Sequence, residues 1–220
     1  PKKVEKFYKI VGVIGVIFLL FININLLVCG VILFLSWGII YNLKPFQWKR
    51  KPVLGMLINT IAGLILFISG WSIINTEKTL SDGLYACLIS STPYLLCFTA
   101  VSLLTTLPDI NGDKKTGNET FPIKFGTIIT MFIGTLCVII ASYIGYFLND
   151  PISSTSALVS LPFFIWMLGR RKPVDIIRTI RFSIFNLAFF LMVVYPYLFF
   201  ASLITFYLSK YYYWHRFNLH

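Results

Sequence analysis

From Ile10 to Leu43 the chain carries no charged side chain. A helix needs about 20 apolar residues to cross the hydrocarbon of a bilayer, so this interval is too long for one ordinary span and just enough for two. Asn23 and Asn25 offer a turn in its middle, which places one helix from about Val4 to Ile22 and a second from about Leu26 to Asn42. Charge-poor runs continue along the chain. Val53 to Asn75 reads as a third span, Gly83 to Leu107 as a fourth with Pro93 inside it, Ile123 to Leu148 as a fifth and Pro151 to Leu168 as a short sixth. Phe182 to Ser209 reads as the seventh, with Pro196 inside it and Tyr211, Tyr212, Tyr213 and Trp214 beyond its end as an interfacial belt. The composition agrees: 57% of residues are hydrophobic, 12% are charged and the mean hydropathy is +0.81, far from the balance of a water-soluble domain. The expected fold is all-α, a polytopic transmembrane bundle forming one domain over residues 1–220. The polar loops are too short to bury a core of their own.

Seven spans create alternating loops. Sixteen of the lysines and arginines fall on one side of this arrangement, and three (Lys78, Lys210 and Arg216) on the other. The positive-inside rule puts the sixteen in the cytoplasm, for a chain expected in a cell inner membrane. The net charge of +11 is spread over short clusters with no continuous basic face. It therefore points to anionic lipid or an anionic substrate, and away from nucleic acid. Cys29, Cys87, Cys97 and Cys137 lie inside apolar runs without metal or redox spacing and read as packing residues. His215 and His220 sit in the terminal tail, which leaves no material for a histidine-based metal site.

One polar stretch interrupts the apolar pattern most sharply. Pro108 to Gly126 reads PDINGDKKTGNETFPIKFG, with Asp109 and Asp113 four residues apart in a chain of eight acids. On a helix the two carboxylates share a face and repel each other unless something positive joins them. Mg²⁺ takes oxygen ligands and typically binds one or two carboxylates plus substrate phosphates, which makes it the economical partner. A solvated loop that merely ends a helix is the alternative. The topology puts these acids on the same side as YNLKPFQWKRKP. Carboxylates for a metal and cations for anionic oxygens then face one compartment, a combination that suits a diphosphate. The apolar interior alongside would accept a hydrocarbon chain.

These residues carry a family resemblance. TLPDINGDKKTGNETFPIKFG resembles the second aspartate-rich motif of the UbiA superfamily of intramembrane prenyltransferases, with Asp109, Gly112, Asp113, Gly117, Thr120, Pro122, Lys124 and Gly126 in order. YNLKPFQWKRKP is similar to the family's Tyr-Ser-x-x-Pro-x-x-x-Lys-Arg-x-Pro segment through Tyr41, Pro45, Lys49, Arg50 and Pro52. Asn42 replaces the usual Ser, and Gln47 stands where a basic residue is common. The resemblance implies that the chain supplies helices three to nine of a nine-helix fold. The first aspartate-rich motif is absent, since no Asp precedes Asp82, and it is expected with the first two helices ahead of Pro1.

The resemblance further implies Mg²⁺-dependent transfer of a prenyl group from a polyprenyl diphosphate donor to an aromatic or lipid acceptor within the membrane. Asp109 and Asp113 would bind the metal, and Lys49, Arg50 and Lys124 the diphosphate. Tyr41 would orient the diphosphate or shield the allylic cation with its ring face. The competing readings are a transporter and a non-catalytic membrane protein. No acid lies near the middle of a span, as a transporter's ion pathway would ask. A calcium loop fails because Lys114 and Thr120 occupy its glycine and bidentate-glutamate positions. The aspartate signature of membrane phosphatidyl-alcohol transferases is not present either.

Overall fold

The computed structural model describes residues 2–74 and 80–217. Asn75, Lys78 and His220 lie outside the described residues. Among the described residues all regular structure is helical. The long helices are α1 (Lys2–Ile22), α2 (Ile24–Leu33), α3 (Pro52–Ile74), α4 (Leu80–Thr105), α7 (Thr127–Phe147), α8 (Pro151–Arg170), α9 (Pro173–Val194) and α10 (Tyr197–Phe217). Two short helices, α5 (Ile110–Thr116) and α6 (Phe121–Phe125), lie between α4 and α7. Five helices, α3, α4, α7, α8 and α9, are long and apolar enough to cross a membrane, and the apolar pieces Ile10–Ile22 and Ile24–Ile40 are shorter. The chain is an integral membrane protein.

The first expected turn falls on Asn23, whose Oδ1 accepts the Asn25 N–H at 2.8 Å and so caps α2. At its other end α2 passes into a wider π-helical stretch, Phe34–Ile40. Pro93 is accommodated within α4 as expected. Two expectations are corrected. The fifth span does not begin at Ile123: Gly126 takes φ +93°, and this left-handed residue separates α6 from α7. Nor is the seventh span one helix from Phe182 to Ser209. Its helix starts at Pro173, whose missing N–H costs nothing in a first turn. It stops at Val194 because Pro196 removes a donor and disfavours helical backbone at Tyr195. Arg178 and Arg181 are therefore helical residues of α9 and not loop charges.

The core lies among α4, α7, α8 and α9, where Ala100, Leu104, Met131, Val138, Ala157 and Phe164 are buried together. Apolar side chains gain little by leaving lipid for protein, so close backbone approach through small residues must hold such helices. The α7–α8 hairpin is the tightest instance. A Cβ on Gly145 would stand 2.5 Å from Ser153 Oγ and 2.9 Å from the Ser154 nitrogen. Asp150 caps α8 by accepting the N–H groups of Ile152 and Ser153. By contrast α1 and α10 expose large apolar side chains along their lengths, as lipid-facing helices do. α10 packs only lightly, against α9.

Candidate functional site

The helices α3, α4, α7, α8 and α9 alternate in direction. This gathers the start of α3, the end of α4, the short helices α5 and α6, and the α8–α9 corner at one end of the bundle. Ile110 and Leu107 share the core cluster with Met167 and Ile176, which fixes that end in three dimensions.

The π-helical turn sets the geometry of the basic loop. Tyr41 N–H bonds Ser36 C=O at 2.9 Å, an i to i+5 bond that widens the helix. The loop then folds back through a cis Lys44–Pro45 peptide and Gln47 at φ 40°. Lys49 N–H reaches Tyr41 C=O at 3.3 Å, bringing the two residues side by side. Lys49 Nζ donates to Asn42 Oδ1 at 3.3 Å, and Asn42 Nδ2 donates to Trp37 C=O at 2.7 Å. Trp37 Nε1 donates to Asn59 Oδ1 at 3.1 Å, and Asn59 Nδ2 to Ser102 Oγ at 3.2 Å. A run of polar contacts thus ties the loop's ammonium to α3 and α4. Sequence reasoning missed Trp37, Asn59 and Ser102. The visible signal was Asn59, an amide in an otherwise apolar run.

The aspartate stretch packs alongside. Asp113 N–H bonds Asp109 C=O at 2.9 Å, so the acids lie one helical turn apart on one face. Asn118 Nδ2 donates to Asp113 Oδ1 at 3.1 Å, and Gly117 closes α5 in a left-handed conformation. Asp109 is exposed and makes no capping bond. Among the described residues no cation lies within ion-pair distance of either acid. Glu119 N–H donates to Arg50 C=O at 3.2 Å, and this bond joins the two motif-bearing segments.

Between them is a niche of about 50 Å³. Tyr41, Lys49, Lys51, Asn59, Ser102 and Thr120 contribute to its wall, and no carboxylate does. Asp109 and Asp113 do not line the niche, whose wall takes Thr106 and Thr120 from either side of them in the chain. Arg50 joins the site through its carbonyl while its side chain is exposed. The Lys124 ammonium sits 5.8 Å from the Phe125 ring centroid and does not line the niche. Deeper in the bundle lies an apolar cavity of about 480 Å³, walled by residues such as Gly63, Phe67, Phe98 and Phe164. Gly63 is one turn below Asn59, and Phe98 one turn below Ser102, so the cavity continues the niche along the α3–α4 interface.

The pair fits a hard cation in kind. Both are acceptor-only carboxylates, one turn apart, with Asp109 uncapped. Among the described residues no group of three or more His, Cys, Asp or Glu gathers, so Asp109 and Asp113 would be the chain's contribution to such a site.

One further acid at this end behaves differently. Asp175, unremarked in the sequence, is 2% exposed. It pairs with Arg170 Nε at 3.2 Å and with Arg178 Nη1 at 3.8 Å. Its signal was legible as Pro-x-Asp opening a helix.

Comparison with known proteins gives a consistent answer. A family model described as the UbiA prenyltransferase family matches residues 1–192, ending within α9. The chain is 31% identical over 132 residues to a chloroplastic 2-acylphloroglucinol 4-prenyltransferase of Humulus lupulus, covering 56% of this chain and 31% of that protein. It is 29% identical over 113 residues to a probable chloroplastic homogentisate phytyltransferase 2 of Oryza sativa subsp. japonica, covering 49% of this chain and 29% of that protein. The matched segments thus span less than a third of these relatives' length. No solved structure gives a significant match.

Proposed function

The chain belongs to the UbiA prenyltransferase family, and from that premise we propose that it carries the diphosphate end of an intramembrane prenyl transfer site. The observation that supports this most directly is the Glu119 to Arg50 backbone bond. It keeps a carboxylate pair and a lysine-lined niche adjacent at one end of a bundle whose interior holds an apolar cavity.

In this reading Asp109 and Asp113 hold Mg²⁺, which when bound neutralises diphosphate oxygens and eases departure of the leaving group. The Lys49 ammonium, positioned through Asn42, contacts the diphosphate, and Arg50 and Lys124 supply further positive charge at the rim. The donor tail occupies the apolar cavity, away from water. Tyr41 presents its ring face beside the allylic carbon, where a cation is favoured over an aromatic quadrupole. The acceptor is an aromatic compound, the class named for both plant relatives, with a lipid acceptor as the alternative. The basic loops face the side from which the chain inserts, which is the cytoplasm for a cell inner membrane. The plant relatives are chloroplastic by name.

The test uses full-length protein in nanodiscs with Mg²⁺, a prenyl diphosphate and a phenolic acceptor. Release of diphosphate coupled to prenylated product is expected, and its loss on Mg²⁺ chelation. Solute flux without diphosphate release would overturn the assignment in favour of a transporter.

A further inference from the structure

The apolar cavity ends inside the bundle. Counted away from the niche, its deepest lining residues are Phe67 on α3, Tyr94 on α4, Ser156 on α8 and Leu187 on α9. Tyr94 precedes Ser102 by eight residues on α4, a depth of about 12 Å at the helical rise. Its ring meets that of Phe67 with centroids 5.6 Å apart, which joins α3 to α4 at this level. Its hydroxyl interacts with the Asp150 side chain at the start of α8. One turn deeper the helices close on each other. Ser91 is 0% exposed and Ser153 1%, and Gly145 packs against Ser153 and Ser154 with no room for a Cβ. Tyr94 and Phe67 are thus the last large side chains a tail meets before close-packed protein.

Small residues make the room over this floor. Gly63, Ser156, Ala157, Ser160 and Ser183 line the wall. The three serine hydroxyls donate to carbonyls of their own helices, at Ser153, Ser156 and Thr179. The wall therefore offers hydrocarbon a surface whose hydroxyl protons are already spent. Its capacity follows from volume. A cavity of about 150 Å³ accepts a benzene ring of six carbons, so about 480 Å³ holds roughly three such groups. That is on the order of 15–20 carbon atoms, or three to four five-carbon units.

We infer that the Tyr94–Phe67 pair is a floor that limits the prenyl donor to about three or four five-carbon units. The inference rests on the prenyl-transfer reading and deepens it, from a polyprenyl diphosphate of any length to one of middle length. A shorter tail leaves the lower cavity unfilled and forgoes contact with its wall. A longer one must push its last units into protein that has no space for them.

The test is Mg²⁺-dependent binding of geranyl, geranylgeranyl and solanesyl diphosphates, of two, four and nine units, to the full-length protein in phosphatidylcholine nanodiscs. Wild-type protein is expected to prefer the geranylgeranyl compound to either of the others by about tenfold, the scale on which surplus or missing methylenes are felt in a packed interior. Tyr94→Ala is expected to bring the solanesyl compound within about threefold of it, whereas Tyr94→Phe, which keeps the ring, preserves the limit. Partition into the bilayer is the same for every variant, so a changed ratio reports the floor. Phe67→Ala removes the other half of the pair and serves as the test if Tyr94→Ala does not fold. Equal affinity for the geranylgeranyl and solanesyl compounds in wild-type protein overturns the inference, as does a ratio that neither alanine variant shifts. In either case binding of the diphosphates leaves the prenyl-transfer reading standing, and this length limit alone falls. A wild-type protein that binds none of the three sinks both.

Discussion

The α8–α9 corner and the segment between α4 and α7 lie at the same end of the bundle, and both set acids beside basic residues. At the first, Asp175 is buried and pairs with Arg170 and Arg178 within one helix turn and a tight connection. At the second, Asp109 and Asp113 share a helix face, with Lys114 and Lys115 next in sequence and no cation at ion-pair distance. A carboxylate that has its counter-charge inside the fold is costly to remove, because its partners are left uncompensated. A pair without one keeps its oxygens available to something from outside. The difference separates an acid that holds two helices from acids whose counter-charge the described fold does not supply.

Exchanging roles between these corners is the direct way to break the contrast. The largest effect is expected from Asp109→Ala or Asp113→Ala. Prenyl transfer by the full-length protein should fall about a thousandfold, on the scale of a lost transition-state charge contact. Unfolding free energy should stay within about 0.5 kcal/mol of wild type, as for a surface substitution. A destabilisation as large as that of an Asp175 variant would erase the distinction. Next comes Asp175→Ala, expected to cost about 2–3 kcal/mol in chemical unfolding. That is below the full penalty for an uncompensated buried ion pair, since Arg170 is 41% and Arg178 61% exposed. The fraction that remains folded should retain its turnover number. Unchanged stability would mean that the arginines are as content in water as beside the acid.

Smaller effects sharpen the picture within the second corner. Lys49→Met should raise the KM for the prenyl donor about tenfold, roughly 1.4 kcal/mol, because Lys49 lines the niche and its ammonium is held by Asn42. Lys124→Met should change the same constant by less than about threefold, since its ammonium lies over the Phe125 ring outside the niche. Equal effects in a side-by-side kinetic comparison would mean that Lys124 swings inward when the donor binds.

Much of this was legible in the sequence, and the gaps have physical causes. Uninterrupted apolar stretches announced the bundle because lipid admits so few other side chains. Asn23 marked the first turn because its side chain caps a helix. The error at the last family helix came from treating Arg178 and Arg181 as loop charges. In the structure α9 already runs from Pro173, and Asp175 neutralises part of that charge from within the same turn. Asp109, Asp113, Tyr41 and Lys49 could be named from their order along the chain. The contacts from Trp37 through Asn59 to Ser102 could not. They depend on a π-helical widening and on three elements meeting, which leave no trace in linear spacing.

The fastening between Glu119 and Arg50 is made wholly of peptide atoms. Side chains at both positions can drift without loosening it, so the distance between the acid-bearing and lysine-bearing loops is insulated from most amino-acid exchange. Proline at 119 is the replacement that would undo the clasp, because it alone brings no hydrogen to donate.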